Sequence, residues 1–197
     1  MVDIRIGALT EKYETGNKGP GFISNGSKWG DPGGDSYGAY QLESKLGTLQ
    51  DYIAYNDKFS GLLRDLKINS EGFKQKWKQL AKEDPQGFKQ SQFDFLCTKK
   101  GGYNSGINYA KELGWAVDHI ALQAAIFSTV NQSGGWRKGI FDRANIKPKD
   151  PIKVQIDKLY DARARYFISL SSLSSTIKRN IIKERTVNER ADALRLI

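Results

Sequence analysis

Beyond residue 46 the chain is an almost unbroken succession of apolar residues at helical spacing, and this feature constrains the fold most. The patterns run over approximately 48–58, 70–82, 86–97, 104–113, 117–132, 136–144, 151–170 and 176–195. Each such stripe needs a partner to bury it, so the chain must form a body of packed helices. Pro85 and Pro151 each follow an aspartate, which predicts helix starts with Asp84 and Asp150 as N-caps. Upstream, residues 3–14 read as a first helix with Ile6, Leu9 and Tyr13 on one face and Gly16 as its C-terminal cap. Residues 15–35 are rich in Gly, Asn and Ser and read as loop. The stretch SYGAYQLES that follows has the aromatic content of a short strand. No repeat or linker divides the chain. The expectation is one α+β domain over 1–197, predominantly α-helical, with a glycine-rich loop at 15–38, a small β element and a helical body at 46–197.

Composition narrows the chemistry. With 197 residues, 39% of them hydrophobic and 27% charged, the chain can bury a core without staples. Its single Cys and single His exclude an internal disulfide framework and a zinc site of several His/Cys ligands. Cys97 in FDFLCTKK and His119 in WAVDHIALQ both read as core residues, which disfavours thiol catalysis. No metal and no cofactor is expected. No apolar run reaches the length of a membrane span, because Trp115–Val130 is broken by Asp118, His119 and Gln123. MVDIRIGALTEKYE lacks the features of a signal peptide, so an outside site of action requires another means of delivery. The net charge of +9 favours polyanionic partners. The cations are scattered along helical patterns, without a recognition helix or a sheet of stacking aromatics, so nucleic acid is not the expected partner.

The stretch GDPGGDSYGAYQL, residues 30–42, sets Asp31 and Asp35 among four glycines, with Ser36, Tyr37 and Tyr40 following. Glycine loses the most backbone freedom on folding, so such a run marks an unusual turn or a close approach by another group. Glu14, at the end of the first helix, precedes Asp31 by seventeen residues. Two carboxyl groups of this kind suit glycosidic cleavage, one as acid in a partly apolar setting and the other ionised among donors. The same two residues also suit a solvated helix end and a turn, as a Glu and an Asp separated by a loop commonly do. Spacing alone leaves both readings open.

The run ALTEKYETGNKGPGFISNGSKWGDPGGDSYGAYQLESKLGTLQDYI resembles the peptidoglycan-degrading, lysozyme-like domain of phage lysins and of VgrG-type secretion-spike C-termini. The matching elements are E-K-Y-E, N-K-G-P-G, G-D-P-G-G and S-Y-G-x-Y-Q. ALQAAIFSTVNQSGG, KLYDARARYF and KERTVNERADALRLI extend the likeness over nearly the whole chain. That family is similar to the bacterial chitosanases, whose F-E-N helix end and G-D-G-R-G-Y-T-F-G loop align with Tyr13-Glu14 and with Asp31, Ser36 and Gly38. The resemblance implies a lysozyme/chitosanase-like fold with a cleft beside the β element. It makes Glu14 the general acid, Asp31 the general base and Ser36 the holder of the attacking water, with the carboxyl groups about 6.5–9.5 Å apart. Trp29 reads as a sugar-stacking residue. Tyr37, Tyr40 and Gln41 floor the cleft, and Ser128, Thr129 and Gln132 reach it from the central helix. Asp35 reads as a rim residue and Glu11 as a supporting acid. Phe127 and Ser133 depart from the family's second segment, where Trp and His are expected.

The implied function is a cell-wall lytic enzyme, a muramidase-like endolysin that cuts the β-1,4 glycan bond by inversion. Its partner would be anionic bacterial peptidoglycan, with no nucleic acid, no membrane insertion and a monomeric state. Made in the cytoplasm, it would be delivered by a holin, a phage tail or a secretion apparatus. The alternatives are a peptidoglycan endopeptidase, a chitosanase, or a non-catalytic wall-binding module of a phage tail or secretion spike.

Overall fold

A computed structural model describes residues 2–29 and 33–197. Among these the protein is mostly helical with a small two-stranded antiparallel sheet, the predicted balance of elements. The chain separates into two compact units. The first comprises residues up to Ile4 and Glu14–Lys99, and the second Arg5–Tyr13 and Lys100–Ile197.

In the first unit, the sheet is formed by β1 (Ser36–Tyr37) and β2 (Leu42–Glu43), in the register Ser36 to Glu43 and Tyr37 to Leu42. Ile23 adds an antiparallel bridge to Tyr37, so the incoming loop lies along β1. The strand expected through SYGAYQLES is thus two short strands joined by a tight turn. Gly38 (φ +83°) and Gln41 (φ +56°) supply its left-handed backbone. Helices α2 (Thr48–Tyr55), α3 (Glu71–Glu83) and α4 (Pro85–Thr98) complete the unit. Its core is aromatic. Trp77 and Tyr52 are fully buried, and Trp77 lies edge-on to Tyr37, Tyr52 and Phe88. Asp84 caps α4 as predicted, accepting from the Gly87 N–H at 2.8 Å.

The second unit holds most of α1 (Gly7–Thr15), together with α5 (Tyr103–Glu112), α6 (Ile120–Gln132), α7 (Lys138–Ala144) and α8 (Ile152–Ser169). Helix α6 is buried nearly all round: Ala121, Leu122, Ala124, Ala125, Ile126 and Phe127 are at most 1% exposed. Its run of apolar residues therefore marks a central helix. Two local expectations change. Asp150 does not cap α8, because its carboxylate accepts from the Lys147 N–H and from Lys158 Nζ, closing the preceding turn. His119 is half-buried at the start of α6, where Nδ1 accepts from the Ala121 N–H at 3.3 Å, rather than lying in the core.

The closing helix expected over 176–195 is three pieces: α9 (Ser175–Asn180), a wider π-helical stretch (Ile181–Glu189) and α10 (Arg190–Leu194). The one buried residue of the π stretch is Glu189. A buried carboxylate anchors this stretch where an apolar stripe was expected, and helical periodicity carries no sign of it.

Candidate functional site

The glycine-rich segment of the first unit is held from three sides. Pro20 offers its carbonyl to both Trp77 Nε1 (2.8 Å) and Gln92 Nε2 (3.1 Å). Gln92 Oε1 in turn accepts from the Ala39 N–H at 3.0 Å. One buried amide therefore ties the loop before the sheet to the turn within it. A Cβ at Gly38 would stand 2.2 Å from Gln92 Oε1, and one at Gly21 would stand 2.8 Å from Ala81 Cβ. At these two positions glycine admits the protein's own side chains, and at Gly38, within the run 30–42, this replaces the room for a ligand that the sequence suggested. At the far edge Tyr37 donates to Asn69 Oδ1 at 2.8 Å.

Asp35 is not a rim residue. It is 5% exposed, accepts from the Ser27 N–H at 3.0 Å and pairs with Lys74 Nζ of α3 at 2.8 Å. Burial pushes its carboxyl up, but the bonds from Lys74 and Ser27 outweigh this and hold it below its ordinary range. Asp35 thus latches the turn Gly26–Trp29 to the helical part of its unit.

The predicted site residues fall in different places. Glu14 is half-buried near the end of α1, in the first unit. Asp31 lies outside the described residues. Ser36 is half-exposed on β1, and its backbone bonds both ways with Ser24: Ser36 N–H to Ser24 Oγ at 3.0 Å, and Ser24 N–H to Ser36 O at 2.9 Å. Trp29 ends its 3₁₀ turn. Tyr37 and Tyr40 are at most 1% exposed and belong to the core, while Gln41 is half-buried and donates to Gly38 O at 3.1 Å. Glu11 is buried on α1.

Ser128, Thr129 and Gln132 stand in the second unit, around a buried ion pair. Glu189 (0% exposed) accepts from Arg163 (1%) at 3.1 Å and from Arg185 at 2.9 Å. Ser128 Oγ donates to it at 2.5 Å and Tyr160 Oη at 2.9 Å. Gln132 Oε1 accepts from Arg163 Nε at 2.5 Å, and Thr129 bonds back to the Ala125 carbonyl. Burial opposes ionisation of Glu189, yet the two guanidinium groups hold its carboxyl below the ordinary range. Nearby, Tyr13 donates to Asp192 at 2.7 Å while Lys12 pairs with the same carboxylate, and Arg185 covers the Tyr13 ring. The last turn of α1 is thereby pinned to the C-terminal helix.

Sequence reasoning missed Gln92, Lys74, Arg163 and Glu189. Gln92 and Arg163 interrupt apolar stripes, at Phe88–Phe95 and Ile156–Phe167, and a polar residue on a buried face is the one signal that points to them. Among the described residues no group of three or more His, Cys, Asp or Glu side chains forms a metal site.

Residues 6–190 match the family model described as type VI secretion system spike protein VgrG3-like, C-terminal. The chain is also 34% identical over 188 residues to the type VI secretion system spike protein VgrG3 of Vibrio cholerae serotype O1. That alignment covers 91% of this chain and 18% of the relative, so the chain spans under a fifth of the length of the protein it matches.

These matches correct the affiliation drawn from the motifs. They place the chain with a secretion-spike C-terminal domain and not with a lysozyme-like, peptidoglycan-degrading family of phage lysins and chitosanases. The reading as a muramidase or endolysin falls with that affiliation, since the matches are to a spike-protein C-terminal family and to VgrG3, and not to a lysozyme. Much of the motif that carried the resemblance has work in the fold itself. Gly38 makes room for Gln92, Asp35 latches a turn, and Tyr13 pins α1. Ser133, where the motif has His, closes the end of α6 by bonding the Thr129 and Gly135 carbonyls. The chain belongs to the type VI secretion system spike protein VgrG3-like, C-terminal family.

Proposed function

We propose that this chain is a domain carried on the spike of a type VI secretion apparatus, and that on delivery it associates with the anionic wall polymer of a bacterial envelope. The observation that carries the first part is the 34% identity to a spike protein over 91% of the chain. The second part rests on the net charge of +9, which attracts an anionic polymer over distances set by the Debye length. Glu14 and Ser36 are the proposed polar contact residues of the first unit, since neither is fully buried.

Two measurements test this. In a strain that expresses the chain from its own locus, it should appear in the medium only when the secretion sheath can contract. Equal amounts from a sheath-deficient strain would remove the spike assignment. Purified protein should co-sediment with isolated sacculi at low salt and be released as salt rises. Protein that stays in the supernatant at low salt would refute wall association.

A further inference from the structure

The most exposed apolar side chains of the second unit concentrate near its C-terminal end. Helix α9 buries none of its residues, yet it carries Ile177 at 47% exposure. In the π stretch that continues it, Ile182 is 40% exposed and Val187 53%. A helix bonded from i to i+5 brings residues five apart round to the same side, so Ile182 and Val187 share a side of this stretch. Interleaved with them are Lys178, Arg179 and Lys183. Lys183 approaches Glu184 only at 3.8 Å with both side chains at least half exposed, a pair too weak to neutralise it. Of the remaining charges, Glu184 is half exposed and accepts from Asn188 Nδ2 at 3.0 Å, Arg185 and Glu189 pair with each other, and Arg190 pairs with Asp157 and Asp161, so the three cations outnumber the one carboxylate left on the segment. Exposed branched aliphatics beside uncommitted cations therefore occupy a segment that is fastened to the body by Glu189.

We propose that the segment Ser175–Val187 is a peripheral docking surface for an anionic lipid bilayer. Ile177, Ile182 and Val187 enter the headgroup boundary, while Lys178, Arg179 and Lys183 meet the lipid phosphates and carboxylates. Charge complementarity selects an anionic occupant and argues against a second copy of the chain, whose matching cations would face these. The aliphatic side chains select lipid among anionic occupants, because a glycan strand or a nucleic acid backbone offers no apolar phase to receive them. The segment lies on the bilayer surface and does not cross it, in keeping with the lack of any helix among the described residues long and apolar enough to span.

Flotation with vesicles of phosphatidylserine and phosphatidylcholine, beside vesicles of phosphatidylcholine alone, tests this in the full chain. The protein should float with the anionic vesicles and remain behind with the neutral ones. Each cation is worth about fivefold in partition, so K178A/R179A/K183A should bind roughly 100-fold more weakly. I177S/I182S/V187S should also lose binding, and K78A/K82A, on exposed positions of α3, should bind as the wild type does. Far-UV circular dichroism confirms that each variant is folded. Failure of the wild type to float with anionic vesicles would overturn the proposal, as would an equal loss in K78A/K82A. A wild-type dimer that the serine variant converts to monomer would overturn it in favour of a second copy as the occupant.

Discussion

Replacing Glu189 by alanine should destabilise the second unit more than any other single change to a charged residue. In the native state its carboxylate takes hydrogen bonds from Ser128, Tyr160, Arg163 and Arg185. Both oxygens face Arg163, at 3.1 and 3.3 Å, and Arg163 is only 1% exposed. Glu189→Ala leaves that guanidinium charged, out of water and short of its main acceptor. Breaking a buried pair from one side costs about 3–5 kcal/mol. For a chain of this size each kcal/mol moves Tm by about 2–4 °C, so the drop is roughly 6–20 °C. Urea and thermal unfolding followed by far-UV circular dichroism measure it. Glu189→Gln keeps an acceptor and loses the charge, so its cost should be smaller. Arg163→Met/Glu189→Leu removes the fully buried pair and should cost less than Glu189→Ala, the remaining cost being Arg185 and the Tyr160 hydroxyl left without their acceptor. The sign with pH follows from the lowered carboxyl pKa. The contribution is present above the ordinary value of 4.5 and is lost as pH falls through the lower folded value. If Glu189→Ala stays within about 1 kcal/mol of wild type while Arg163→Met/Glu189→Leu is the worse variant, the reasoning about an uncompensated charge is refuted.

Gly38→Ala should cost roughly 2–4 kcal/mol, about 1–2 for the left-handed backbone and about 1 for each displaced Gln92 bond. A smaller penalty in a Gln92→Ala background, read by denaturant titration, confirms that the clash is with this side chain. Asp35→Asn should speed trypsin cleavage after Lys28, since it loosens the hold on Ser27. In the wild type the same loosening, read by amide hydrogen exchange at Ser27, should appear only as pH falls below the ordinary carboxylate value of 3.8, because this carboxyl is held low. Burial pushes the Cys97 thiol up to about 12, so a disulfide reagent at mildly alkaline pH should label it only after denaturant is added.

The elements were legible in the sequence because their causes are local. Apolar spacing located α2 to α8 to within a few residues, Asp84-Pro85 marked a true cap, and Gly16 took the left-handed backbone expected of a helix stop. The failures share a cause. Asp35, Gln92 and Glu189 take their roles from partners 39, 53 and 26 positions away along the chain, at Lys74, Ala39 and Arg163. Nothing in the spacing of a glycine-rich run distinguishes a glycine that admits a ligand from one that admits Gln92.

By itself, then, the sequence determined that this chain would be a helical body with one small β element, basic overall and without a metal or disulfide framework of Cys and His. Those outcomes follow from periodicity, charge and composition, each a property of residues taken a few at a time. Only the tertiary structure decided which polar residues hold the fold, where a carboxylate replaces an apolar stripe as the anchor of the C-terminal segment, and which glycines serve packing. Burial and pairing are properties of distant residues brought together, so they exist only once the chain has folded.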